Sequence, residues 1–278
     1  MSLQWYPGHM TKARRELAAL MPSQDVVIEV LDARLPASSS NPLITELRRD
    51  KPCVKVLTRS DLADPDVTQA WLAHFREQPN VSAIESTTDR PNDTRKRIAE
   101  LIAGTALHRG ANKRVRALVA GVPNVGKSTL INTLMHRNVA AVGDKPAVTK
   151  QQQAVLLKDG TTLTDSPGLL WPKIVDERDA FRLALAGSIP DTAIDYMTIA
   201  TFAAEALLER YPELLLKRYK LPALPASGDA LLTEIGKRRG CLRPGGVVDL
   251  DMAAQLLVRE FRAGSIGRIT LESVTASD

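Results

Sequence analysis

The 278-residue chain is poor in the residues that build disulfide frameworks and metal centres, with 2 cysteines and 4 histidines. Cys53 and Cys241 cannot staple a fold of this size and lack metal-ligand spacing, so they read as reduced thiols. The scattered histidines predict no metal cluster. No apolar run approaches the roughly 18 residues that a membrane span demands. The opening MSLQWYPGHM has neither a basic segment followed by an apolar stretch nor a small-residue cleavage site. Internal repeats and low-complexity tracts are absent as well. Together these absences predict a soluble, cytoplasmic protein. A 44% hydrophobic and 25% charged composition excludes a disordered chain, and the length suits one large domain or two modest ones.

The net charge of +5 is mild, but it is unevenly spread. Residues 210–243 hold 8 basic against 3 acidic side chains, within a C-terminal third that is otherwise acidic. A second cluster comprises Arg109, Lys113, Arg114 and Arg116. Such patches bind polyanions or form an ordinary solvated face.

Hydrophobic patterning divides the chain. Short segments rich in Val, Leu and Ile predict strands at 25–31, 53–57, 81–86, 115–120, 154–157 and 161–164, several of them apolar on both faces. Helical patterns at 11–20, 42–49, 67–76, 93–102 and 127–136 lie between them. Asp64 or Asp66 is the expected cap of the third helix, and Asn92 or Asp93 that of the fourth. This alternation predicts a mostly parallel α/β sheet over residues 1–170. Beyond Trp171 only helical patterns remain, at 178–186, 198–211, 230–239 and 249–262. They predict a smaller all-helical domain over 171–278.

The strongest local signal is Gly121-Val-Pro-Asn-Val-Gly126-Lys127-Ser128, placed between a predicted strand and a predicted helix, as a phosphate-binding P-loop requires. Glycines let backbone N–H groups turn inward around a phosphate, and the following helix adds a favourable dipole. Lys127 supplies a cation for the β- and γ-phosphates, while the Ser128 hydroxyl suits magnesium. Downstream, Thr164-Asp165-Ser166-Pro167-Gly168 ends a strand. Asp165 there suits a water-linked magnesium, and the Gly168 N–H suits a γ-phosphate. Between the two, Lys145-Pro-Ala-Val-Thr149-Lys150 is a candidate switch whose threonine completes the magnesium shell.

A guanine site needs a carboxylate that accepts from the ring N–H and the exocyclic amine together. Nothing after Asp165 fits. Before the P-loop, however, Cys53-Val-Lys-Val-Leu-Thr58-Arg59-Ser60-Asp61 provides a strand with an aspartate in the final position. The segment Ile84-Glu85-Ser86-Thr87-Thr88 is placed to cover the base. Base motifs therefore precede phosphate motifs, which is a circular permutation.

The segments Trp5-Tyr-Pro-Gly-His9, Asp32-Ala-Arg34-Leu-Pro36, Asn41-Pro42, the permuted order and the Gly-Val-Pro-Asn-Val-Gly-Lys-Ser loop resemble the bacterial ribosome biogenesis GTPase A family. So, more loosely, does the tail, with Arg239-Gly240, Gly246-x-x-Asp249, Phe261-Arg262-x-Gly264, Gly267-Arg268 and Leu271-Glu272. The resemblance implies a circularly permuted P-loop GTPase domain followed by a helical rRNA-binding domain. It also implies potassium-stimulated GTP hydrolysis late in maturation of the large ribosomal subunit. The implied partners are the large-subunit precursor and its 23S-type rRNA, with no membrane and no DNA. His9 and Lys127 are the implied catalytic residues. Asn124 would hold potassium, and Ser128, Thr149 and Asp165 magnesium. Thr58, Arg59, Asp61, Ser86, Thr87, Asn124, Val125, Gly126, Lys127, Ser128, Thr129, Thr149 and Gly168 would contact GTP. The basic excess over residues 210–243, and not the resemblance, marks Lys237, Arg238 and Arg239 as the expected RNA contacts. Leu169 stands where many GTPases carry a catalytic glutamine.

Two positions depart from the family pattern. Thr58-Arg59 replaces Asn-Lys, with Arg59 expected to lie over the base as a lysine stem would. Ala147 replaces a switch glycine, at a stability cost if the backbone there needs positive φ. Two other readings share these motifs: an ATP-using P-loop enzyme, and an RNA-binding assembly factor with a degenerate, structural nucleotide site. Asp61 speaks against the first, and intact Lys127, Ser128, Asp165 and Gly168 against the second.

Overall fold

The computed structural model describes residues 8–107, 114–135, 153–157, 159–171, 174 and 176–274. Thr149 and Ala147 lie outside them, as do the N-terminal residues through Pro7. The described chain runs α1 (Gly8–Leu20), β1 (Val26–Asp32), α2 (Pro42–Arg48), β2 (Cys53–Thr58), α3 (Pro65–Arg76), β3 (Val81–Glu85) and α4 (Pro91–Leu107). It continues with β4 (Arg116–Ala120), α5 (Lys127–Met135), β5 (Gln153–Leu156) and β6 (Thr162–Asp165). Helices α6 (Glu177–Leu185), α7 (Tyr196–Arg210), α8 (Pro212–Tyr219), α9 (Gly228–Arg239) and α10 (Leu250–Arg262) complete it.

The strands form one six-stranded sheet in the order β3-β2-β1-β4-β6-β5, with every pairing parallel except β5 with β6. Alternation along the strands splits the core. Val26, Ile28, Val30, Val54, Val56, Ala117 and Val119 face one side, against Ile98, Ile102, Leu130 and Ile131 of α4 and α5. Val27, Leu31, Cys53, Leu57 and Leu118 face the other, against Trp71, Leu72 and Phe75 of α3. Burial on both faces explains why these strands read as unbroken apolar runs. Both cysteines are free and buried, and burial pushes the Cys53 thiol up to about 12, so it stays protonated.

Strand limits fall within a residue of the sequence expectation, and Asp64 caps α3 by accepting from the Asp66 and Val67 N–H groups. Two expectations need correction. Helix α4 starts at Pro91, so Asn92 and Asp93 sit inside its first turn rather than at its cap. Helix α8 was not expected. Pro212 cannot donate a backbone hydrogen bond, so α7 stops at Arg210, and the same proline opens a new eight-residue helix at its first position.

The C-terminal helices are amphipathic, and Leu207, Leu231, Leu257 and Phe261 bury in the same apolar cluster as the first face of the sheet. After α10, residues 263–274 run back across the C-terminal ends of β1 and β2. The Ile269 N–H donates to the Leu62 carbonyl at 2.9 Å and the Leu271 N–H to the Arg34 carbonyl at 2.8 Å. Among the described residues, no helix is long and apolar enough to cross a membrane.

Candidate nucleotide site

Parallel strands end on one edge of the sheet, and there the motifs meet. β4 leads into the P-loop, whose Lys127 starts α5. Register pairs Val119 of β4 with Asp165 at the end of β6, which sets the buried Asp165 carboxylate beside the loop. Lys127 is also buried. Its ammonium donates to the carbonyls of Gly121 at 3.2 Å and Val122 at 2.8 Å. Burial pushes its pKa down to about 8, while the nearby Asp165 charge works in the opposite direction. A desolvated ammonium of this kind gains strongly from an arriving polyanion.

Gly168 approaches the loop so closely that a Cβ there would lie 2.8 Å from Pro123 Cα and 3.1 Å from Lys127 Nζ. Only glycine lets the segment after Asp165 reach the P-loop backbone. Leu169, next in line, is buried on the α3 side of the sheet. Its carbonyl accepts from the Asn41 side-chain amide at 2.8 Å.

The base motif sits one strand further over. Thr58, Arg59, Asp61, Ser86, Thr87, Gly126 and Thr129 line a single cleft of about 220 Å³, together with Leu62, Thr88, Leu130 and Thr133. The Thr58 hydroxyl lies 2.7 Å from the Val125 carbonyl and 2.9 Å from that of Leu31. It has one proton for two acceptors: donated to the nearer Val125 carbonyl it ties the base strand to the P-loop, and donated to Leu31 it ties that strand to β1. The Ser60 N–H donates to the Ser86 carbonyl at 3.3 Å, joining the two base loops.

Arg59 is itself one of the residues that line the cleft. At φ 56° its guanidinium reaches the Asp32 carboxylate at 2.5 Å and the Asn124 carbonyl at 2.7 Å. Asp32 also takes a two-pronged contact from Arg34, at 3.0 and 2.9 Å. Burial alone would raise the Asp32 carboxyl, but the Arg34 and Arg59 charges prevail and hold it well below the usual carboxylate range. Arg34 then reaches the Phe261 carbonyl of α10 at 3.0 Å, and its guanidinium lies over the Phe261 ring. Asn124 donates its side-chain amide to the Gly187 carbonyl after α6 at 2.7 Å. The P-loop, the base motif and the C-terminal helices are thus joined by polar contacts. In the sequence, the Asp32-Ala-Arg34 segment is marked only by the family resemblance. Its role as this junction was missed, although a short Asp-x-Arg pair at a strand end is the signal that could have raised it.

Of the other expected residues, Val125 and Gly126 form the loop beneath the cleft, and Ser128 lies in the first turn of α5. His9 falls in the first turn of α1. Lys237 pairs with Glu234 at 2.9 Å, and Arg238 donates to the Lys220 carbonyl at 2.7 Å. Arg239 covers Tyr219 and donates to the Arg218 carbonyl at 3.2 Å, so this basic run also braces α8 against α9.

Residues 116–204 match the 50S ribosome-binding GTPase family. "Ribosome biogenesis GTPase A" of Bacillus pumilus is 41% identical over 98% of this chain and 99% of its own. Two solved structures of YlqF from Thermotoga maritima superpose over 94% of this chain. The GDP-bound one has a TM-score of 0.68 at 27% identity and is covered over 99% of its length. The GNP-bound one has a TM-score of 0.67 at 29% identity and is covered over 98%. With a permuted motif order, a P-loop joined to an upstream base motif and this full-length similarity, the chain belongs to the ribosome biogenesis GTPase A family of circularly permuted P-loop GTPases.

Proposed function

We propose that this GTPase seats guanine in the cleft lined by Asp61 and the Ser86–Thr87 segment, and places the phosphates over Val125, Gly126, Lys127, Ser128 and Thr129. Its cleavage of GTP would govern late maturation of the large ribosomal subunit. The observation that carries this reading is the Thr58 link between the base strand and the Val125 carbonyl, which keeps the two halves of the site in one frame. A water attacks the γ-phosphorus, the bond to the β-phosphate oxygen breaks, and GDP and phosphate leave. Lys127 offsets charge on the β- and γ-oxygens, and the Gly168 N–H faces the γ-position. His9, and not a glutamine, positions the water.

The hard oxygens of Ser128 and the buried Asp165 suit magnesium, with Thr149 as the third protein group. When bound, magnesium would neutralise charge on the β- and γ-phosphates. The Asn124 amide oxygen is the proposed potassium ligand, its nitrogen being committed to Gly187. Residues 1–170 carry nucleotide chemistry, and 171–278 carry rRNA contacts through Lys237, Arg238 and Arg239, in the cytoplasm.

Asp61→Asn tests the reading. Losing a charged pair to guanine costs about 2–4 kcal/mol, within the range for truncating one partner of a hydrogen-bonded charge pair. GDP binding should weaken steeply while xanthosine diphosphate becomes a ligand. Equal affinity of the unaltered protein for ATP and GTP would refute it.

A further inference from the structure

We infer that the C-terminal strap, residues 263–274, is part of the guanine-recognition machinery, with Arg268 as a positioning residue for the loop that carries Asp61. This inference rests on the assignment of the base cleft made above. The Asp61 loop spans the end of β2 and the start of α3, and its Ser60, Leu62 and Ala63 carbonyls are bonded to the strap. The Arg268 guanidinium donates to the Ser60 carbonyl at 3.1 Å and to the Ala63 carbonyl at 2.9 Å, so it brackets Asp61 and Leu62 from both sides. The Leu62 carbonyl between them accepts from the Ile269 N–H at 2.9 Å. Thr270 then accepts from the Asp64 N–H at 3.1 Å and donates to the Ala33 carbonyl at 3.2 Å.

The strap has little freedom of its own. Ile266, Ile269 and Leu271 are buried, and at its far end the Glu272 carboxylate accepts from the Ala37 N–H at 2.6 Å and the Ser38 N–H at 3.0 Å. At its near end Gly264, at φ 69°, packs so tightly on Leu62 that a Cβ would meet its Cδ2 at 2.5 Å. A short loop bearing a specificity carboxylate is by itself free to shift. Recognition of two adjacent donors on a purine edge fails when the carboxylate moves by an ångström, because a binding site must hold its groups to about half an ångström. The strap supplies the shell that holds it. Arg268 is not among the residues that line the cleft, so it acts from outside it.

The test compares the unaltered protein with Arg268→Ala and Arg268→Lys. Dissociation constants are measured for GDP, ADP and tripolyphosphate, which reads the phosphate site alone, alongside thermal melting. The expected result for Arg268→Ala is a fall of about tenfold in preference for GDP over ADP, equivalent to roughly 1.4 kcal/mol. Tripolyphosphate affinity stays unchanged, and Arg268→Lys, which keeps a donor, recovers part of the preference. An unchanged GDP preference, or an equal loss of GDP and tripolyphosphate binding, overturns the role of the strap. A melting point lowered with nucleotide preference intact also overturns it, by reducing Arg268 to a structural contact. If the unaltered protein itself fails to prefer GDP over ADP, the base-cleft assignment fails, a result distinct from all of these.

Discussion

Replacing Arg34 by methionine probes the junction beneath the nucleotide site. Arg34 and Asp32 are both almost fully buried, at 2% and 3% side-chain exposure. Removing the arginine strips Asp32 of two hydrogen bonds and the Phe261 carbonyl of a third. Truncating one partner of a buried ion pair costs about 3–5 kcal/mol, because the remaining charge stays in a poor dielectric. Arg59 still faces Asp32, so the lower half of that range applies. For a chain of this size it corresponds to a melting point lower by about 6–15 °C. The double variant with Asp32→Asn should recover part of the loss, since no buried charge is then left exposed to the gap. The pH dependence has a fixed sign. The Asp32 carboxyl is held below its unfolded value, so the stability from this pair is complete above about pH 4 and drains as pH falls toward the folded value. The penalty of Arg34→Met should therefore shrink in acid. Thermal and urea melts of the four proteins between pH 3 and pH 7 provide the assay. A single-variant cost under about 1 kcal/mol, or additivity within about 0.5 kcal/mol, would refute the energetic coupling.

Lys127 carries an ammonium whose pKa is pushed down to about 8, so in the nucleotide-free protein its desolvation penalty is complete below that pH and is relieved as pH rises toward its ordinary value. Lys127→Met should accordingly leave the free protein at least as heat-stable while abolishing useful GDP binding in titration, and GDP affinity of the unaltered protein should decline above about pH 8. Gly168→Ala forces a methyl into Pro123 and Lys127 at 2.8 and 3.1 Å, and overpacking costs of about 1–3 kcal/mol should appear as weaker nucleotide binding in calorimetry. His9→Ala should leave affinity nearly intact and slow single-turnover hydrolysis, whereas indifference of turnover to potassium would remove the role given to Asn124. Neutralising Lys237, Arg238 and Arg239 together should flatten the salt dependence of large-subunit cosedimentation by about two to three units of slope if each meets a phosphate.

The sheet was legible because its strands are short, β-branched and bounded by turn residues, so 53–57 and 81–86 were placed within one residue of Cys53–Thr58 and Val81–Glu85. The position of Asp61 on a cleft was legible for a similar reason: a buried parallel strand delivers the loop that follows it to the edge of the sheet. The destination of Arg59 was not, since its partners Asp32 and Asn124 come from another strand and from a loop far along the chain. Helix α8 stayed hidden because Pro212 acts locally as a breaker and only in context as a first-turn residue. The strap was marked in the sequence only by its resemblance to the family tail, and its contacts were not legible. Gly267-Arg268 carries no periodicity, and its hydrogen bonds go to carbonyls, which any sequence supplies.

The motif order has a consequence for how the chain acquires its fold. In the finished sheet β1 is an inner strand, paired with β2 on one side and β4 on the other. Ribosomal synthesis delivers β2 soon after β1, but β4 only after α4 is complete. During that interval the β1 edge, with its N–H and C=O row, stands open beside the uncovered face of Val26, Ile28 and Val30. Closing the β1–β4 pair requires a long loop to be drawn in, which places a slow, non-local step late in folding. The nascent chain is therefore most adhesive after β1 to β3 have formed and before its P-loop has emerged, a window in which a holding chaperone would have the most to protect.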